Sequence, residues 1–266
     1  MITFSIITCT YNASQYIGRT LESVRRQTYP HIEHLIIDGL SKDNTVAKAQ
    51  AYAQEGGTRT VSIVSERDKG LYDAMNKGIR MASGDYIIFL NAGDKFANDN
   101  ILADIARQTE AHSPLPGVIY GDTDIVNDEG TFLHRRRLTP PEHLNWRSFR
   151  RGMLVCHQSF YARTDIAKHI MYDLNYRFSA DVDWCIRIMK EAERQQLALH
   201  NSHLTLCAYL DGGMSVKNHR ASLMERFRIM SHHYGLFSTI IMHLWFVMRG
   251  VFHAFLSHFP PLRQAQ

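Results

Sequence analysis

Short apolar runs alternate with longer stretches of helical periodicity over residues 1–120. Thr3–Thr8, His34–Ile37 and Val61–Val64 read as strands, Gln15–Gln27 and Asp43–Gln54 as helices. The series continues through Ser65–Phe96 as a loop, a helix, a buried strand and an acidic turn. Leu71–Ala82 carries Met75, Ile79 and Ala82 on one side, and Ser83-Gly84-Asp85 stops it, because glycine tolerates the left-handed backbone that ends helices. Tyr86–Leu90 is apolar and β-rich, which suits a strand buried on both faces of a parallel sheet. The alternation predicts βαβ units, right-handed crossovers and a mostly parallel sheet. Ligands of open α/β sheets bind at the carboxyl ends of the strands. Asn91-Ala92-Gly93-Asp94 stands there, a candidate cradle for a metal ion and a phosphate-bearing ligand.

Beyond Asp122 the pattern changes. Asp124–Val126 and Thr131–Leu133 flank Asn127-Asp128-Glu129-Gly130, a hairpin signal. Tyr176–Lys190 reads as a helix led by acidic residues, with Trp184, Ile188 and Cys185 inward. Asp211-Gly212-Gly213-Met214-Ser215 reads as a flexible loop after a strand. From Gly235 to Phe259 the chain is apolar nearly all round, interrupted by histidines and Arg249 and ended by Pro260-Pro261. That length approaches a membrane span, but a central arginine is costly at mid-bilayer and Gly250 weakens the helix. We read an interfacial helix broken near Arg249. A core-packed or dimer-forming helix pair is the alternative.

Composition narrows the class. At 266 residues, 45% hydrophobic and 21% charged, the chain has the size and content to bury a core. The net charge of +4 is mild and its basic residues are scattered apart from Arg135-Arg136-Arg137 and Arg150-Arg151, which argues against a nucleic-acid partner. The four cysteines lie far apart with no C-x-x-C spacing, which fits a reducing compartment and neither a zinc site nor a disulfide framework. The amino terminus lacks a basic n-region and a cleavage site and reads as a first strand, so no secretion signal is expected.

Three segments together, Ser5–Asn12 (S-I-I-T-C-T-Y-N), Ile36–Thr45 (I-I-D-G-L-S-K-D-N-T) and Ser65–Phe96, resemble the inverting glycosyltransferases of family 2. The resemblance covers residues 1–100 well and 150–190 more loosely. It implies a GT-A α/β fold: a Rossmann-like, mostly parallel sheet flanked by helices, here with an apolar helical segment after it. It also implies one domain in two halves. Residues 1–120 would bind the nucleotide-sugar donor and 121–215 the acceptor and catalytic base, with 216–266 a helical segment.

For individual residues the resemblance implies the following. Asp38, at the rim of the sheet, would accept a hydrogen bond from a uracil imide; an Asx turn or helix cap is the plainer role. Thr8, Thr10, Tyr11 and Asn12 would line the base and ribose pocket, although Asn12 equally suits a turn. Asp73, Asn76 and Lys77 share one helical face and would point at sugar or diphosphate, whereas a solvated polar face needs no ligand. Asp68 would position the loop before that helix. Asn91-Ala92-Gly93-Asp94 occupies the place of the D-x-D turn that holds Mg²⁺ or Mn²⁺, with Asp94 left as its one clear carboxylate and Asn91 shaping the turn. His157-Gln158 resembles a pair near the acceptor or leaving group. Asp181, in Ser179-Ala180-Asp181-Val182-Asp183-Trp184, aligns with the catalytic base; Asp183 is the alternative, and either suits the positive end of a helix.

The expected activity is transfer of a hexosyl or N-acetylhexosaminyl group from a nucleoside diphosphate sugar, a UDP-sugar, to an acceptor hydroxyl with inversion and metal assistance. The expected acceptor is a glycan or lipid-linked glycan at the cytoplasmic face of the membrane, in bacterial surface-polysaccharide assembly. A non-catalytic nucleotide-sugar binding or scaffold protein is the alternative, favoured by the missing acids at Asn91, Gly93 and Ala180. A dinucleotide oxidoreductase would carry G-x-G-x-x-G after the first strand. Thr8-Cys9-Thr10-Tyr11-Asn12-Ala13-Ser14 stands there instead.

Overall fold

The computed structural model describes residues 1–57, 59–213 and 218–257. Among them, nine strands form one sheet. Strand β1 (Phe4–Thr10) is buried along its whole length. It pairs in parallel with β2 (Ile32–Asp38) and β4 (Tyr86–Phe89), and β2 pairs in parallel with β3 (Thr60–Ser65). Helices α1 (Ile17–Arg25), α2 (Thr45–Gln54) and α3 (Leu71–Met81) make the connections. Apolar residues cover both faces, as β-strands buried on both sides require. Phe4, Ile6, Tyr86 and Ile88 pack against α4 (Ile101–Thr109), while Ile7, Leu35, Ile37 and Phe89 pack with Met75 and Ile79 of α3. Each such side chain contributes about 1.5–3 kcal/mol by leaving water.

The second half is mixed in direction. After β5 (Lys95–Phe96) come β6 (Val118–Val126), β7 (Phe132–Arg135), β8 (Phe160–Arg163) and β9 (Leu199–Leu210). β8 runs antiparallel between β4 and β6, whereas β6 and β9 are parallel. The expected hairpin joins β6 and β7, closed by the Gly130 N–H on the Asn127 carbonyl at 2.9 Å. The chain also forms α5 (Thr164–His169), α6 (Ala180–Arg194), α7 (His219–Tyr234) and α8 (Leu236–Ser257). The α/β class, central sheet and carboxyl-terminal helical segment are those expected.

Three boundaries differ from the sequence reading, each for a physical reason. Helix α6 starts at Ala180 rather than Tyr176. The backbone N–H groups of Arg177, Phe178 and Ser179 donate instead to the Glu225 carboxylate on α7, at 2.8, 2.7 and 2.9 Å. Helix α3 ends because Ala82 turns to extended backbone, not through a left-handed glycine. Gly84 is needed for a close approach: a Cβ there would lie 2.7 Å from the Thr3 carbonyl oxygen. Helix α8 runs unbroken past Arg249. Its outward side chains include Phe237, Ile240, Ile241, Leu244, Val247 and Met248, all exposed. Among the described residues no helix is long and apolar enough to cross a membrane. Met214, Ser215, His258, Phe259, Pro260 and Pro261 lie outside the described residues.

Candidate active site

The carboxyl end of β4, the hairpin β6–β7, the start of α6 and the end of β9 enclose a cavity of about 640 Å³. Four residues singled out in the sequence, Asn91, Asp94, His157 and Asp181, line it together. Asp181 sits in the first turn of α6, where the helix dipole favours a negative charge. The Tyr72 hydroxyl donates to Asp181 Oδ1 at 3.2 Å, and His157 Nδ1 stands 3.5 Å from Oδ2. Burial pushes the Asp181 carboxyl up, but His157, Arg226 and the Val182 N–H together hold it below the ordinary carboxylate value. Its side chain is 17% exposed, so an ionised carboxylate faces the cavity. That is the state a proton acceptor needs.

A stack of rings fixes the Tyr72 end of this arrangement. Tyr72 lies on Tyr172 with centroids 5.2 Å apart, and Tyr172 lies on Trp184 at 4.9 Å. Asn76, on the same helix, anchors the stack. Its Nδ2 donates to the Tyr172 carbonyl at 3.0 Å and its Oδ1 accepts the Tyr172 N–H at 2.8 Å. Asn76 is therefore spent on the fold and does not reach the cavity.

Asp183 differs from Asp181 in every contact. It accepts from Arg187 Nε at 2.6 Å and pairs with His233 Nε2 at 2.7 Å, with a side chain only 5% exposed. Burial raises its carboxyl, and His233 with Arg187 more than reverse this. Sealed and doubly paired, Asp183 is a structural anchor between α6 and α7.

The turn at Asn91–Asp94 is built around Asp94. Its Oδ1 accepts the Leu210 N–H at 3.0 Å and its Oδ2 accepts Gln158 Nε2 at 2.9 Å. Burial pushes this carboxyl up to about 6 against those donors. Gly93 has φ +106, a backbone conformation that L side chains rarely adopt, and a Cβ there would lie 2.7 Å from Leu210 Cδ2, so a carboxylate at that position would be strained and would displace the leucine. Asn91 Nδ2 lies 3.5 Å from His157 Nε2, while its Oδ1 is buried with no partner among the described residues.

This donor set was weighed against a divalent cation. Ca²⁺ takes six to eight oxygen ligands, and Mg²⁺ is held by one or two carboxylates with waters and substrate phosphates completing its shell, so a cation resident without substrate needs a fuller set than one arriving with it. Here one neutral amide oxygen is free, and the single carboxylate already accepts on both oxygens. Among the described residues, no three His, Cys, Asp or Glu side chains are grouped to hold a metal. The residues present do not fit a resident cation.

The remaining sequence candidates lie at the ends of β1–β3 or along α3, outside the lining of this cavity. Asp38 is 1% exposed and accepts from the Ser41 N–H at 2.9 Å, Ser65 Oγ at 2.7 Å and Thr10 Oγ1 at 3.4 Å. The Asx-turn geometry weighed for it is thus present. Thr8 is wholly buried, with its hydroxyl between His34 and the Leu90 carbonyl, so it supports the strand. Tyr11 is exposed beside this cluster. Asn12 is a turn residue with φ 47, its Oδ1 accepting the Lys42 N–H. Lys77 bridges Asp68 and Glu66 at 2.5 and 2.8 Å, and Asp73 accepts the Lys69 N–H at 2.9 Å. Asp73, Asn76 and Lys77 therefore diverge rather than converge on one ligand.

Sequence reasoning missed Tyr72 and Arg226 and met Arg136 only as part of a basic run, whereas Gln158 was singled out with His157 and lines the cavity beside it. Tyr72 adjoins a residue singled out, one step from Asp73. Arg226 has no local signal, because only the packing of α7 against the start of α6 brings it to the cavity.

Comparison with known proteins gives the site its context. The glycosyl transferase family 2 model matches residues 5–170. A PGL/p-HBAD biosynthesis glycosyltransferase of Mycobacterium bovis is 32% identical over 218 residues, 80% of this chain and 78% of that protein. The amylovoran biosynthesis glycosyltransferase AmsB of Erwinia amylovora is 29% identical over 195 residues, 71% of this chain and 64% of its own length. S. aureus TarS 1-349 in complex with UDP-GlcNAc superposes with a TM-score of 0.68 at 18% identity, over 86% of this chain and 64% of that one. This chain thus spans less than two thirds of that TarS fragment. The mannosyltransferase PcManGT from Pyrobaculum calidifontis, solved with GDP-Man and Mn²⁺, matches with a TM-score of 0.61 at 14% identity, over 98% of this chain and 81% of its own. These two structures share the GT-A architecture expected from the sequence. With the family match taking in more than half of its length on that architecture, the chain belongs to glycosyl transferase family 2.

Proposed function

We propose that this chain transfers a sugar from a nucleoside diphosphate sugar, a UDP-sugar, to an acceptor hydroxyl by a single in-line displacement with inversion. The observation that carries the reading is the Asp181 carboxylate, held by Tyr72 and His157 in the cavity that also contains the Asn91–Asp94 turn. Asp181 takes the acceptor's proton as its oxygen attacks the anomeric carbon. Residues 1–120 bind the donor, with Thr10, Tyr11, Asp38 and Asp68 nearest the base, and residues 121–215 shape the acceptor side. UDP-GlcNAc and GDP-Man in the structural neighbours support a nucleotide-sugar donor of this general kind. Most of the rate enhancement comes from positioning and charge complementarity. Replacing Asp181 by Asn tests this reading. Transfer to acceptor should fall by about 10²–10⁴-fold while UDP affinity stays unchanged. Undiminished turnover would remove Asp181 from the reaction. A wild-type protein that binds UDP-sugar yet transfers it to no acceptor would favour the scaffold alternative.

The acceptor in this proposal is a lipid-linked glycan in surface-polysaccharide assembly, met at the cytoplasmic face of the membrane. The exposed apolar side of α8 supports it, because a helix of this kind lies in the headgroup region. Flotation with anionic vesicles should carry the wild type, and Phe237→Asp with Leu244→Asp should release it. A concentration-dependent dimer that ignores vesicles would instead assign this side of α8 to a second copy.

A further inference from the structure

A departing diphosphate gains negative charge that something in the cavity must meet. The Asn91–Asp94 turn is poorly equipped to do so through a cation, since its one carboxylate accepts a protein donor on each oxygen and the positive φ of Gly93 disfavours a second carboxylate there. Among the described residues, two guanidinium groups that line the same cavity stand in no close ion pair, although Arg226 acts on Asp181 through space. Arg25, Arg26, Arg163, Arg187 and Arg194 elsewhere are all ion-paired. Arg136 differs: its donors go to the neutral carbonyls of Leu138, Leu154 and Met153 at 3.0, 3.2 and 2.6 Å. Arg226 differs further. It lines the cavity from α7, and its Nε is buried with no hydrogen-bond partner among the described residues. A buried, unpartnered guanidinium N–H is expensive unless a ligand completes it. Phosphate oxygens are the acceptors whose geometry matches a guanidinium fork.

We infer that this chain meets the charge of the donor's departing diphosphate with guanidinium groups, Arg226 foremost and Arg136 beside it, in place of a resident divalent cation. The inference rests on the glycosyltransferase reading above. In the step it serves, the bond from the acceptor oxygen to the anomeric carbon forms as the bond from that carbon to the phosphate oxygen breaks. The electron pair leaves with the terminal phosphate, and the hydroxyl proton passes to Asp181. Arg226 donates to the phosphate that receives the pair.

Calorimetric titration of the full chain with UDP, in excess Mn²⁺ or in EDTA, tests this, with uridine as the phosphate-free control. The wild type should bind UDP within about threefold in the two buffers, and Arg226→Ala should weaken UDP by about tenfold or more while changing uridine by less than about twofold. Arg226→Lys should recover part of the UDP affinity, and because Arg226 Nε is buried without a hydrogen-bond partner among the described residues, both variants should melt close to the wild type. A wild type that loses about tenfold or more of its UDP affinity in EDTA would overturn the inference and leave the transferase reading intact. So would an Arg226→Ala protein that binds UDP normally, or one that loses uridine and UDP alike. Folded protein that binds none of UDP, GDP, CDP and dTDP in either buffer would overturn the transferase reading, and the inference with it.

Discussion

Asp94 and Asp181 line the same cavity from different elements, and their surroundings drive their carboxyls in opposite directions. Both are desolvated. Asp94 is answered mainly by neutral donors, the Leu210 N–H and the Gln158 amide, and burial prevails. Asp181 is answered by His157 and Arg226, groups able to carry charge, and burial loses. Hydrogen bonds from neutral groups hold a carboxylate in place, but nearby cations keep it ionised. The turn is thus a brace and the start of α6 a working end, although each displays an aspartate to the same space.

The most direct way to break that contrast is to neutralise each carboxylate in turn. Asp181→Asn should cost about 10²–10⁴ in transfer rate, and Asp94→Asn much less per folded molecule, read as kcat on matched amounts of native protein. Asp183→Asn should invert the pattern. It strands Arg187 and His233 beside a neutral amide, so unfolding free energy should drop by about 3–5 kcal/mol with kcat per folded molecule nearly kept.

The pH dependence of stability sharpens the comparison next. Asp94 has a folded-state value of about 6, above its unfolded one. Its protonated form is therefore favoured by folding, so its contribution is full below the unfolded value and is lost as pH rises through 6. Between pH 4 and pH 8 this single group should lower stability by about 2 kcal/mol, a difference that Asp94→Asn removes. Urea midpoints at the two pH values, wild type against variant, read that difference directly. An unchanged pH slope in the variant would show that Asp94 ionises freely.

The smallest expected effect concerns His157. Exchanging it for Gln removes the imidazole whose hydrogen bond lowers Asp181, so the carboxyl should rise toward the value burial alone would give. The acid limb of the rate profile should move up by about one pH unit, with roughly a tenfold loss of rate below that limb. A profile that does not move would assign His157 to binding rather than to tuning the base.

How much of this was legible in the sequence depends on how local each signal is. The strands β1 to β4 and the helices between them were readable because each carries its own periodicity, and the turn at Asn91 follows directly from the strand before it. Asp181 stood out through the resemblance of residues 179–184 to the family's base motif, and the structure places it on the cavity wall. The start of α6 was misplaced because Glu225, far along the chain, takes up the backbone donors of Arg177 to Ser179. The three-residue polar face of α3 failed for a similar reason: Asn76 is drawn to Tyr172, and Lys77 to the loop before its own helix. Periodicity says which side of a helix a residue occupies, but not which distant backbone claims it. Arg226 was invisible for the same reason, and Arg136 stood out only as part of a basic run; both reach the cavity through tertiary packing.

The Glu225 contact also bears on how this protein can be trimmed. An experimenter wishing to discard the greasy carboxyl-terminal helices for easier purification would find a natural cut before His219. That cut removes the carboxylate that organises the approach to α6, the histidine that seals Asp183, and Arg226. The shortened chain would retain the whole sheet yet lose the fastening of its reactive helix. The greasy appendage is therefore part of the enzyme's chassis, and gains in solubility are better sought by polar substitutions on the outer side of α8 than by truncation.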